Sequence, residues 1–224
     1  MPKTAIKYKF AVIATDVVIF TIKDEKLQVL LIKMKKKPFS EQWACPGGLV
    51  KSNEDVDISA KRQLKTKAGV DNIYLEQLYT FGKVRRDPFG RVVSVAYFAL
   101  IPNANIKLKT TKEYTDVKWF NIDKLPKLAY DHLEIIQTAV ERLKAKLTYT
   151  NIIYGLLPKD FTLTELQKIY ESILNKKLDK RNFRKKILSL KLIKKVNKQK
   201  SGEAYRPADL YTFIKRSPQV IEIL

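Results

Sequence analysis

One cysteine in 224 residues, Cys45, excludes an internal disulfide, and nothing in the composition asks for an oxidising compartment. No apolar run approaches the roughly eighteen residues that a membrane-spanning helix needs. The opening Met-Pro-Lys-Thr-Ala-Ile-Lys-Tyr-Lys has neither the apolar stretch nor the small-residue cleavage site of a secretory signal, so the expected compartment is the cytoplasm. Internal repeats and low-complexity segments are absent as well. Acidic residues are the other scarcity: 23 Asp and Glu stand against 44 Lys and Arg, a net charge of +21. An excess of that size points to a polyanion, either nucleic acid or an anionic membrane face, unless lysine merely coats the surface. Its distribution helps to decide. From Leu147 to the end there are 17 basic and 7 acidic residues, net +10 over 78 positions, whereas the first 146 carry 27 and 16, net +11. The charge density of the C-terminal third is nearly twice that of the rest, which favours a basic module there.

Residues 10–22 and 27–35 are rich in Val, Ile and Phe and flank Lys23-Asp24-Glu25-Lys26, a pattern that predicts a β-hairpin. A loop from Lys35 ends at Pro46-Gly47-Gly48. Residues 55–68 read as a helix, because Val56, Ala60 and Leu64 recur every four positions on one face. Strands at 73–81 and 92–101 are joined by a loop rich in Arg, Asp, Pro and Gly, and a short strand follows at 117–120. Residues 132–147 place Ile136, Ala139, Val140, Leu143 and Leu147 on one helical face. Thr162-Leu163-Thr164-Glu165 then matches a capping box, and Leu163, Leu166, Ile169, Tyr170 and Ile173 line the helix it starts. A turn at 175–179, a helix at 180–190 and strands at 192–197 and 210–214 complete the chain, with a basic, glycine-tipped loop between the strands. The expected class is α+β, with an α/β/α sandwich over residues 1–147 and a winged helix-turn-helix over residues 148–224.

Within the first domain, Gly48, Glu54 and Arg62 fall at the spacing G-x5-E-x7-R, followed by Gln63-Leu64-Lys65-Thr66-Lys67-Ala68-Gly69-Val70. This resembles the Nudix box, G-x5-E-x7-R-E-U-x-E-E-x-G-U with U aliphatic. Every scaffold position matches, and the three acidic positions after the arginine carry Gln63, Thr66 and Lys67. The resemblance covers about residues 8–147. In active members it implies acids at i, i+3 and i+4 that hold Mg²⁺, which neutralises the phosphates and activates water. A neutral carbonyl, a hydroxyl and a cation stand here instead, and Glu54 alone cannot rebuild a divalent site. The expectation is therefore loss of hydrolysis, with no catalytic residue, metal or cofactor. Gly47 and Gly48 let the turn approach a ligand's phosphates closely. Glu54 and Arg62 either pair with each other or touch the ligand. Lys67 has two readings: its ammonium takes the metal's place and holds a pyrophosphate uncleaved, or it snorkels to solvent.

The segment from Phe81 to Tyr97, with Ala129-Tyr130-Asp131-His132, is similar to the Nudix-related transcriptional regulators, including those of NAD metabolism. Forked arginine hydrogen bonds from a turn facing the cleft suit a phosphate or a sugar diol. The alternative is that Asp87 and Arg91 only tie the loop together. The candidate ligand-binding set is thus Gly47, Gly48, Arg62, Lys67, Arg85, Arg86, Asp87 and Arg91. His132 reads as a helix-start or core residue before a base, and Cys45 as packing before a nucleophile.

In the second domain, Phe183, Ile187 and Leu188 are expected to point inward, leaving Lys180, Arg181, Arg184, Lys185 and Lys186 outward on a basic recognition helix. Lys198, Lys200 and Arg206 on the wing reach phosphate or the minor groove in the same reading. Residues 157–163 and 178–186 are also similar to the DNA-binding part of those regulators, so the resemblance extends over nearly the whole chain. It implies a homodimer on a double-stranded DNA operator, responsive to ADP-ribose, a related nucleotide or a pentose such as arabinose. The competing expectation is a Nudix hydrolase of nucleoside diphosphate derivatives that draws metal ligands from Glu41, Glu76 or Asp87. A third is a non-specific RNA- or DNA-binding protein.

Overall fold

The apolar residues of β1 (Val12–Lys23) are buried on both faces from Ala14 to Phe20, as a strand between two helical layers requires. The computed structural model describes residues 10–69, 73–102, 114–202 and 205–221, without the side chains of 68, 198–202, 205 and 206. β1 turns into β2 (Lys26–Met34) through Asp24 and Glu25, at φ 51° and 56°, the left-handed values that match a two-residue turn to twisted strands. On its other side β1 runs parallel to β6 (Val92–Leu100), in register from Val12 with Val92 to Phe20 with Leu100. β5 (Tyr74–Phe81) pairs antiparallel with β6, and β7 (Tyr114–Asn121) with β2.

Two very short strands were not legible in the sequence. β3 (Trp43–Ala44) pairs with β2, and β4 (Gly47–Leu49) pairs with β1. Segments of two and three residues carry no alternation, so only their long partners define them. β4 matters most, because it sets Gly47 opposite Asp16 and Gly48 opposite Thr15.

Val17 and Ile19 pack with Ala60 of α1 (Val56–Gln63) on one face of the sheet. Val18 and Phe20 pack with Ile135, Ile136, Ala139 and Leu143 of α2 (His132–Tyr149) on the other. The helix expected over residues 55–68 keeps α geometry only to Gln63. Leu64–Ala68 then forms a wider π turn that ends at Gly69 in the left-handed region, φ 69°. A wider turn rotates less per residue, so the i, i+3, i+4 face of a regular helix is not preserved through it. Thr66 accordingly faces solvent while Gln63 and Lys67 are buried.

The expected division at residue 147 falls inside α2, which ends at Tyr149. The chain then stays buried: Asn151, Ile152 and Leu157 have no exposure, and Ile152–Leu156 forms a 3₁₀ turn in the same apolar cluster as Phe98 and Leu100. Arg216 secures this segment by donating to the Tyr154, Leu157 and Pro158 carbonyls at 2.6, 2.7 and 3.0 Å. α3 (Leu163–Leu174) opens on a complete capping box between Thr162 and Glu165, and all five residues of its expected apolar face are buried. α4 (Lys180–Ser189) and the hairpin of β8 (Ile193–Gly202) and β9 (Tyr205–Phe213) follow. Phe161 and Tyr211 exchange backbone hydrogen bonds at 2.9 and 2.7 Å, which adds a third strand position to the wing.

Two side chains of α4 depart from expectation. Leu188, expected inward, is 45% exposed, because Phe183 and Ile187 alone fill the narrow contact this short helix makes. Arg184, expected outward, is half-buried and donates to Thr164 Oγ1 at 3.2 Å, at the start of α3.

Candidate functional site

At the end of the sheet where β4 joins β1 lies a cleft of about 450 Å³. Its walls come from the starts of β1 and β6, from β4, from the 86–91 loop and from the start of α2. Two glycines are required by close approach. A Cβ on Gly47 would lie 2.0 Å from Asp16 Oδ1 and 2.8 Å from the Thr15 carbonyl, and one on Gly48 would lie 2.7 Å from Gln63 Nε2. Both would collide with neighbours that are themselves buried.

A charge network crosses the cleft floor. Arg86, 8% exposed, donates through Nε and Nη2 to Asp131 at 2.8 and 2.6 Å, a two-pronged pair, and Nη2 also lies 3.4 Å from Asp16 Oδ2. Ser94 Oγ donates to the same Asp16 oxygen at 2.6 Å. Burial works against the Arg86 charge, and hydrogen bonding to Asp131 with the Asp16 and Asp131 charges outweighs it, so its pKa is raised. The pair Arg86–Asp131 thereby joins the 86–91 loop to the residue that precedes α2.

His132, the first residue of α2, is buried beside this network. The Cys45 N–H donates to its Nδ1 at 2.9 Å, so the neutral ring carries its proton on Nε2, 3.6 Å from Asp16 Oδ1. Burial lowers its pKa below 6.5, against the pull of Asp16 and Asp131. The unfolded chain therefore takes up a proton near pH 6.5 that the folded chain refuses, and stability falls as pH drops through that value. Denaturant unfolding is expected to show a midpoint that declines from pH 7 towards pH 5. His132→Asn, whose Oδ1 can still accept from Cys45, should flatten that decline, and an unchanged slope would contradict the assignment. The Cys45 thiol is pushed well up by burial and by the two neighbouring carboxylates, which keeps it protonated and poorly nucleophilic.

Of the residues singled out in the sequence, Gly47, Gly48, Arg86, Asp87 and Arg91 line the cleft. Asp87 and Arg91 also tie the loop: Asp87 accepts the Phe89 N–H at 2.8 Å, and Arg91 donates to the Gly82 carbonyl at 2.8 Å. Arg85 is exposed and forms no part of the wall, since consecutive residues of the turn point apart. Arg62 is directed at Glu54, with Nε on Oε2 at 2.9 Å and Nη2 on Oε1, and at the Leu49 carbonyl at 3.1 Å. Hydrogen bonding to Arg62 lowers the Glu54 carboxyl to about 2. Lys67 does not snorkel. It is 7% exposed, and its ammonium donates to the Gly47 carbonyl and the Tyr114 hydroxyl, 4.7 Å from the Tyr114 ring centre. Thr66 Oγ1 donates back to the Arg62 carbonyl at 2.7 Å.

Neither Glu41, which pairs with Lys33, nor Glu76, which pairs with Lys146 at 2.8 Å, lines the cleft. Asp16 and Tyr114 were not picked out in the sequence, and Tyr130 and Asp131, named there within the 129–132 segment, were given no role. Asp16 left a usable signal, an acid inside an otherwise apolar strand, which burial tolerates only with partners.

On the second module, Lys180, Arg181, Lys185 and Lys186 are exposed along α4. Asp179 caps the helix by accepting the Asn182 N–H at 2.8 Å. The side chains of Lys198, Lys200 and Arg206 lie outside the described residues.

The NUDIX domain family model matches residues 13–139, and the NrtR DNA-binding winged helix domain matches residues 153–213. The ADPR responsive transcriptional repressor NtrR of Acinetobacter baylyi is 37% identical over 210 residues, covering 92% of this chain and 83% of that protein. The crystal structure of Shewanella oneidensis NrtR complexed with a 27mer DNA is 34% identical, with a TM-score of 0.79 over 90% of this chain and 93% of that one. The NUDIX domain of the same Shewanella oneidensis protein, complexed with ADP ribose, is 35% identical, with a TM-score of 0.55 over 61% of this chain and 90% of that one.

Proposed function

The chain belongs to the NrtR family, in which a NUDIX domain is joined to an NrtR-type DNA-binding winged helix, and from that premise we propose that it is an ADP-ribose-responsive transcriptional regulator without hydrolase activity. The observation that carries this reading is the match, over 92% of the chain, to an ADPR responsive repressor, spanning cleft and basic helix together. The cleft is the effector site, with Gly47, Gly48, Arg86, Asp87 and Arg91 around the ligand. The exposed cations of α4, Lys180, Arg181, Lys185 and Lys186, contact operator phosphates and base edges.

Coupling runs through α2. It begins at His132 in the cleft wall, is held to the 86–91 loop by Arg86–Asp131, and ends two residues before the buried turn that leads to α3. A ligand that prefers one arrangement of that loop biases the placement of the winged helix, and only such a preference can alter DNA affinity. The protein acts as a homodimer in the cytoplasm on this account. Exposed Val12, Leu49 and Phe89 at the cleft mouth supply apolar surface for a second copy.

Incubation of the full-length protein with ADP-ribose and Mg²⁺ or Mn²⁺ is expected to release no AMP. Saturating ADP-ribose is expected to change the affinity for an operator selected from a random DNA library by about 5–150-fold, the ordinary range of allosteric coupling. Robust turnover abolished by Glu54→Gln, or DNA binding indifferent to ADP-ribose, would contradict the proposal.

A further inference from the structure

The NUDIX family implies a divalent metal, and the residues at the three acidic positions of the box do not fit one. Mg²⁺ is a hard cation that requires oxygen ligands, several of them anionic or water. Gln63 contributes an uncharged amide, Thr66 is turned to solvent with its hydroxyl on the Arg62 carbonyl, and Glu54 is engaged by Arg62. The remaining position holds a cation. Lys67 is buried, and its ammonium lies on the Gly47 carbonyl, the Tyr114 hydroxyl and the face of the Tyr114 ring. A carbonyl, a hydroxyl and an aromatic face are a coherent set of acceptors for a buried ammonium. Gly47 and Tyr114 both line the cleft, so this charge sits directly behind its wall. A donated hydrogen bond from an ammonium also strengthens the Tyr114 hydroxyl as a donor. Among the described residues Gln63 Oε1, whose amide packs against Gly48, is buried with no hydrogen-bond partner and is no ligand for a cation held in the cleft.

We propose that Lys67 is a built-in cation that takes over the divalent metal's electrostatic role, so that the protein binds the diphosphate of its effector without Mg²⁺. The assignment of ADP-ribose as effector rests on the function proposed above; the metal-independent diphosphate site does not. A fixed ammonium attracts the diphosphate and brings no metal-bound water, which separates binding from cleavage.

Calorimetric titration of full-length protein with ADP-ribose and, separately, with inorganic pyrophosphate, each in EDTA and in excess Mg²⁺, tests this. The wild-type Kd is expected to change less than about twofold between EDTA and Mg²⁺. Lys67→Met should weaken both ligands about tenfold or more, as loss of a partly desolvated charge close to the diphosphate does. Lys67→Glu should abolish binding in EDTA and recover part of it with Mg²⁺. Tyr114→Phe, which keeps the ring and removes the hydroxyl, should weaken binding without unfolding, and Lys67→Arg should retain part of it. Wild-type binding that requires Mg²⁺, or Lys67→Met and Tyr114→Phe at the wild-type Kd, would overturn the proposal. Pyrophosphate binding that is EDTA-insensitive and Lys67-dependent, with no ADP-ribose binding, would support the site and contradict the effector assignment. If neither ligand binds, both proposals are overturned.

Discussion

Arg86→Ala is expected to destabilise the protein by about 3 kcal/mol, the lower end of the range for breaking a buried ion pair from one side. The side chain of Arg86 is 3% exposed and sits between Asp131 and Asp16, whose side chains are 14% and 9% exposed. Alanine leaves two carboxylates facing each other with no cation between them, and their desolvation is no longer offset. The lower end applies because Asp131 keeps some contact with water at the cleft edge. For a chain of this length the melting temperature should drop by roughly 6–12 °C. Arg86→Lys retains the charge and loses the two-pronged geometry, so it should fall between alanine and wild type. In Arg86→Ala/Asp131→Asn one uncompensated charge is removed, and the double variant should lose less than the sum of the two single changes. Denaturant unfolding of the wild type and the four variants, Asp131→Asn included, measures this; a loss below about 1 kcal/mol for Arg86→Ala would show that water, and not Arg86, solvates these carboxylates.

The second large effect belongs to α4. Arg181→Ala/Lys185→Ala removes two exposed cations from a helix whose apolar side, Phe183 and Ile187, is untouched, so the fold should persist. Operator affinity is expected to fall about 10- to 100-fold near physiological salt. If both residues contact phosphates, the slope of log affinity against log salt should become shallower by about 1.8. If one reads a base edge, the loss should concentrate on a single operator position and the slope should change by only about half as much. Equal affinity of wild type and variant across a salt series would remove α4 from the DNA interface. Equal wild-type affinity for the selected operator and for random DNA would favour the non-specific binder.

Much of this architecture was legible in the sequence because the relevant patterns are long. The β1–β2 hairpin, the apolar stripes of α2 and α3 and the Thr162–Glu165 capping box each rest on several residues that agree. Short or tertiary features were not legible. β4 has three residues and exists only because β1 accepts it, yet it decides where Gly47 and Gly48 stand. The π turn after Gln63 looks like continued helix in sequence, and it separates Thr66 from Gln63 and Lys67. Lys67 shows the same limit in its sharpest form. Only the packing of Tyr114 and Gly47 around it distinguishes a buried ammonium from a solvated one. Asp16 and Asp131 come from segments 115 positions apart and meet through Arg86, an arrangement no local pattern encodes.

In the proposed function the cleft and the winged helix form one coupled system, and linkage tests that coupling without further assumptions. Binding free energies are reciprocal, so the factor by which ADP-ribose changes the operator Kd must equal the factor by which operator changes the ADP-ribose Kd. Both constants should be measured on the full-length protein in one buffer, by fluorescence anisotropy for DNA and calorimetry for ADP-ribose. Two equal factors are expected, each of at least about fivefold, and both should collapse towards one in an Arg86→Lys variant that still folds. An ADP-ribose Kd that is the same with and without bound operator would contradict it.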